Sequence, residues 1–176
     1  MARKRYDLQP EVFSNIVDCV KTKGINQIQF SGGEPLLNPY FEEFIYIASI
    51  KAPDIKLGIA TNGSRLSFEL AKTISKKMNN IRINLPTISP LKYRHTKKVD
   101  DLERIIETID MLVSEEAPVG INVVYEEQSE HEIYEILNIA AKRKIDVKFL
   151  EMIPFNRAHS NKRTILNLIN ILNSIA

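Results

Sequence analysis

The chain has 176 residues, 44% of them hydrophobic and 26% charged, with a formal net charge of +2. That length and balance fit one ordinary globular domain with enough apolar side chain for a core, and they exclude an intrinsically disordered chain. So small a net charge gives no global electrostatic case for nucleic acid or a membrane surface. No apolar run approaches bilayer length and the start lacks the apolar core of a signal peptide, so the expected address is cytoplasmic.

In chain order, helix-like and strand-like segments alternate. Arg3-Lys4-Arg5 reads as a solvated terminus. Val12, Phe13, Ile16, Val17 and Val20 recur at helical spacing, with Pro10 suited to the first turn and Gly24 to the stop. Cys19, the one cysteine, falls in this helix and reads as a passive structural thiol. A strand at 27–31 runs into Gly32-Gly33-Glu34-Pro35, and Asn38 is expected to cap a helix opening at Pro39 with Phe41, Phe44, Ile45 and Ala48 inward. A strand at 56–61 ends in the turn pair Asn62-Gly63, and Ser67 then caps a helix carrying Leu70, Ala71 and Ile74.

A third strand is expected at 81–85. The stretch 86–99 reads as a long connection without structure of its own, with Lys92, Arg94, His95, Lys97 and Lys98 as solvated charges. Asp100, Asp101 and Glu103 suit the positive end of an amphipathic helix at 100–115 that turns Leu102, Ile105, Ile106, Ile109 and Leu112 inward. A strand at 119–125, a helix at 130–144 and a strand at 147–152 follow; Pro154 breaks the chain before a last helix at 162–174. His95, His131 and His159 are scattered without metal-ligand spacing and read as surface residues.

Such alternation specifies a parallel sheet with right-handed crossovers. The expected fold is α/β, a partial (β/α) barrel of about five parallel strands with helices outside, forming a single domain over 1–176. Five strands leave the barrel an open arc. Polar or small residues recur where successive strands end: Ser31-Gly32-Gly33-Glu34-Pro35, Thr61-Asn62-Gly63, Asn84, Asn122 and Glu151-Met152. Barrels of strand–helix units keep their chemistry at that end. A glycine pair lets backbone approach a ligand closely, and an adjacent carboxylate meets an amino group with a charge-assisted hydrogen bond.

Those segments, with Phe30-Ser31-Gly32-Gly33-Glu34-Pro35-Leu36-Leu37, Ala60-Thr61-Asn62-Gly63, Ile83-Asn84-Leu85, Ile121-Asn122-Val123-Val124 and Phe149-Leu150-Glu151-Met152-Ile153-Pro154, resemble the radical S-adenosylmethionine (SAM) superfamily. The likeness is greatest to its molybdenum-cofactor cyclase branch. It implies that Gly32, Gly33 and Glu34, with Pro35 closing the motif, hold the amino group of SAM. Thr61, Asn62 and Asn84 would lie near its carboxylate or ribose, and Asn122 and Met152 would border the nucleoside. It further implies a four-iron four-sulfur cluster that reduces SAM to a 5′-deoxyadenosyl radical.

Members hold that cluster in a Cys-x-x-x-Cys-x-x-Cys loop ahead of the glycine motif, and this sequence carries one cysteine in all. Pro86 also stands where the branch commonly has Asp. On the resemblance, the chain lacks the first strand and the cluster loop and cannot ligate the cluster by itself. The expected function is the SAM-binding core of a radical enzyme, inactive as this chain alone, with a second polypeptide as the source of the missing strand and cysteine loop. The alternative is a cluster-free pseudoenzyme or scaffold that binds a nucleoside or a protein partner. The substrate is not legible.

Overall fold

The computed structural model describes residues 7–97, 101–125 and 128–151. Helix α1 spans Pro10–Thr22, with Pro10 in its first turn, and Gly24 at φ +68° then turns the chain into strand β1, Gln27–Phe30. A single 3-10 turn, Pro35–Leu37, precedes α2, Phe41–Lys51. Strand β2 (Lys56–Thr61), α3 (Phe68–Lys77), β3 (Asn80–Asn84), α4 (Pro90–Lys97) and α5 (Leu102–Ser114) follow, then β4 (Val119–Tyr125), α6 (Glu130–Arg143) and β5 (Asp146–Glu151). Helix α3 opens on a side-chain cap at Ser67, as the sequence calls for, and α6 on one at Ser129. Ser67 Oγ accepts from Leu70 N at 3.1 Å and Ser129 Oγ from Glu132 N at 3.3 Å, each satisfying an orphan donor of a helix start.

All strand pairs are parallel and the spatial order is β1-β2-β3-β4-β5. Sequential order with one crossover hand places every connecting helix on the same face, and so builds an arc of barrel. The α/β partial barrel is what the structure shows. The helix side is apolar: Ile59, Ile81, Ile83 and Ile121 are wholly buried under α3, α5 and α6 residues such as Ile74, Ile105, Ile109 and Ile136. At the β1 end, the rings of Phe13 of α1 and Phe44 of α2 meet at a tilt with centroids 4.7 Å apart, and both contact Phe30.

The register puts a different set on the helix-free face. Gln29, Gly58 and Asn80 form one row across β1 to β3. Arg82, Gly120 and Asp146 form the next row; the row after it holds Asn84 at the end of β3 with Asn122 and Lys148 midway along β4 and β5. Period-two alternation therefore divides a greasy outer wall from a polar inner one.

Four expectations change. The stretch 86–99 holds α4, whose Pro90 follows Ser89 as a first-turn proline should. Asn38 does not cap α2: its Oδ1 accepts from Tyr40 N at 2.9 Å, and the helix opens at Phe41. Val12 and Ile16 are 50% and 40% exposed, so only Phe13 and Val17 of that stripe are buried, and Cys19 is exposed too. Strand β5 begins one residue earlier and is described only to Glu151. Met152, Pro154, His159, Asp100, Lys98, the basic terminus and the helix expected at 162–174 lie outside the described residues.

Candidate functional site at the strand ends

The first strand leaves the sheet through Ser31, Gly32 and Gly33. Gly32 sits at φ +130°, a backbone conformation closed to other residues, and a Cβ at Gly32 or Gly33 would meet nothing within 4 Å. The turn is thus strained for any side chain and opens onto empty space. It delivers Glu34 back across the end of β2. Glu34 Oε1 accepts from Thr61 Oγ1 at 2.5 Å and from Leu36 N at 3.2 Å, while Oε2 accepts from Asn62 N at 2.7 Å. Pro35 opens the 3-10 turn that aims Leu36 N, and its carbonyl accepts from Asn38 N.

Each oxygen is thereby fixed by a hydroxyl or a peptide N–H. The Thr61 hydroxyl also accepts from Gly63 N at 3.1 Å, and Asn62 Oδ1 from Ser64 N at 2.8 Å. Thr61 is wholly buried and its side chain serves Glu34 rather than the open side. A carboxylate locked this way has one lone-pair site left, on Oε2, for a cation, and no freedom to turn aside from it.

Two strands further along, Asn122 Nδ2 donates to Asn84 Oδ1 at 3.3 Å, and Asn122 Oδ1 is buried without a partner among the described residues. A buried acceptor left open asks for a donor from elsewhere. The structure therefore joins Glu34, Thr61 and Asn62 in one hydrogen-bonded group at the exits of β1 and β2, and Asn84, at the end of β3, with Asn122, midway along β4, in another. Met152 lies outside the described residues.

One feature of this end escaped the sequence reading. Lys92, though half exposed, is paired: its Nζ meets Glu132 Oε2 at 2.6 Å, and Glu132 Oε1 accepts from Thr87 Oγ1. Glu132 is a buried carboxylate, only 6% exposed, and with Pro86, Leu91, His95 and Gln128 these residues line a cavity of about 330 Å³. The signal was there in Ser129-x-x-Glu132, a capping-box spacing, but this glutamate reaches across to α4 instead of back to its own cap. Tyr93, on the far side of α4, is buried; burial first, and the Asp101 charge second, push its phenol above the ordinary value.

The radical SAM superfamily profile matches residues 1–140. The chain belongs to that superfamily. Among curated proteins, the probable GTP 3′,8-cyclase of Thermococcus kodakarensis is 31% identical over 148 residues, covering 83% of this chain and 47% of the relative. The GTP 3′,8-cyclase of Clostridium perfringens strain SM101 is 25% identical over 154 residues, covering 86% of this chain and again 47% of the relative. The chain thus spans about half the length of the curated relatives it matches. The crystal structure of Streptococcus suis SuiB bound to S-adenosylmethionine superposes with a TM-score of 0.79 at 18% identity, covering 99% of this chain and 41% of that one.

The superfamily's two cofactors fare differently against these residues. A pinned carboxylate beside an open glycine turn, with an unsatisfied amide oxygen nearby, suits the amino acid and nucleoside ends of SAM. The cluster has no such fit. One cysteine, exposed on α1, is the whole thiol content, and among the described residues no three His, Cys, Asp or Glu side chains converge as a metal site.

Proposed function

We propose that this chain is the SAM-binding core of a radical SAM enzyme of the molybdenum-cofactor cyclase branch. The observation that carries the reading is Glu34, held by Thr61, Leu36 and Asn62 at the exit of β1. Its carboxylate receives the amino group of SAM, and the Gly32-Gly33 turn admits the methionine chain against backbone. The Asn84–Asn122 pair accepts from the nucleoside side, where Asn122 Oδ1 lacks a donor among the described residues. These residues bind and orient; radical generation is the chemistry that SAM supplies on a reduced cluster.

The thiolates for that cluster come from residues beyond these 176 or from a second polypeptide. Strand β1 ends the sheet among the described residues, with β2 as its one partner, and its outer edge is where a further strand of such a barrel pairs. Cyclisation of GTP, the activity in the names of the curated relatives, is the reaction this reading assigns to the complete enzyme.

Calorimetric titration with SAM tests the binding claim. The native chain is expected to bind and Glu34→Ala to bind at least about tenfold more weakly, the loss for a charge-assisted hydrogen bond; equal affinity of the two overturns it. The single cysteine favours a second reading, a cluster-free protein that keeps the SAM site. Anaerobic reconstitution with iron and sulfide separates the two. Appearance of cluster absorbance when a polypeptide carrying the Cys-x-x-x-Cys-x-x-Cys loop is added supports the enzyme core, and its failure in every such mixture supports the cluster-free protein.

A further inference from the structure

The inner wall of the arc carries a cation with no part in holding SAM. Arg82 stands in the middle of β3 on the helix-free face, and its side chain runs laterally across β4 towards β5. The route is open because residue 120 is glycine: a Cβ there would lie 2.3 Å from Arg82 Nη1 and 2.5 Å from Asp146 Oδ1. Arg82 Nε donates to Asn80 Oδ1 at 3.0 Å and Nη1 pairs with Asp146 Oδ2, while Nη2 has no acceptor among the described residues. The arginine side chain is 22% exposed and Asp146 63% exposed, so the pair is sunk on the arginine side and open on the other.

Tying the sheet together does not explain it. β3 and β5 are each already bonded along β4, and an ion pair with one partner so exposed adds little stability. One row nearer the strand ends, on the same face, stand Asn84, Asn122 and Lys148, the last exposed and without an ion-pair partner among the described residues. Arginine and lysine on neighbouring positions of one concave wall are the donor set for an anion, and arginine's planar fork suits a phosphoryl or carboxylate group.

We infer that Arg82, oriented by Asn80 and Asp146 over Gly120, anchors an anionic group of the substrate on the inner wall below the SAM site. The inference rests on the reading of this wall as the substrate side, but it is tested without SAM. Asp146 sets the strength of the anchor: it competes for the guanidinium until the substrate anion displaces it.

The full chain is titrated calorimetrically with inorganic pyrophosphate and, separately, with malonate. Binding of either that weakens at least about tenfold in Arg82→Gln, holds within a few-fold in Arg82→Lys and tightens in Asp146→Asn supports the anchor, and the better ligand of the two identifies phosphoryl or carboxylate. Opposite signs at the two ends of one ion pair are the readout that a merely structural bridge does not give. No binding of either anion, or equal effects of the same sign in Arg82→Gln and Asp146→Asn, overturns it. A parallel titration with S-adenosylhomocysteine shows whether the SAM site stands or falls independently.

Discussion

A carboxylate on a loop is ordinarily a mobile, solvated group. Glu34 is not, because Gly32 supplies a backbone conformation that no side chain tolerates, and because Thr61 and Asn62 sit under the carboxylate when the turn closes. Replacing Gly32 with Ala is therefore expected to weaken SAM binding as Glu34→Ala does, with the strands intact by circular dichroism. Tyr93 makes a pH prediction. Burial holds its phenol neutral, so the folded value lies above the unfolded one; the stabilisation is complete below about pH 10 and is lost as pH rises through the folded value. Urea unfolding followed from neutral to strongly alkaline pH is expected to show a shallower decline for Tyr93→Phe than for the native chain. At this scale the sequence named Glu34, Thr61 and Asn62, since turn chemistry is local. It missed Arg82 and Glu132, whose partners lie 64 and 40 to 45 residues away.

Most helices and strands were readable because they carry their own period, and α3 and α6 a side-chain cap besides. Strands β2 and β4 and the apolar stripe of α5 stand where alternation and helical spacing put them. Helix α4 was not readable for a physical reason: it is polar, most of its first turn faces water, and tertiary contacts fix it. Glu132, from the first turn of α6, meets both Thr87 before α4 and Lys92 within it. Because Lys92 is half exposed, the larger loss in Glu132→Ala comes from stranding the Thr87 hydroxyl, a destabilisation of about 1–3 kcal/mol measurable by urea unfolding. Val12 and Ile16 show the opposite failure, apolar residues at core spacing that no described element covers.

The whole molecule is an arc with an apolar outer wall and a polar inner one, and that division follows from a single crossover hand and a two-residue period. The largest aromatic contact set holds the β1 end, so Phe44→Ala is expected to cost about 3–5 kcal/mol in urea unfolding and to loosen the very strand that presents Glu34. Parallel pairing was legible from the alternation of strands with helices, whereas periodicity alone did not decide between the sequential order of a barrel and a doubly wound sheet. The polar rows were not, because register, rather than residue type, decides which side chains share a face.

The most direct test of the site is a coupling measurement. S-adenosylhomocysteine and its deamino analogue, which lacks the amino group, are each titrated into the native chain and into Glu34→Ala. If Glu34 holds the amino group, the native chain prefers the amino-bearing ligand by at least about tenfold and the variant has no preference, a non-additivity that only a direct contact produces. An equal preference in both proteins would contradict the assignment of Glu34 as the group that binds the amino end of SAM.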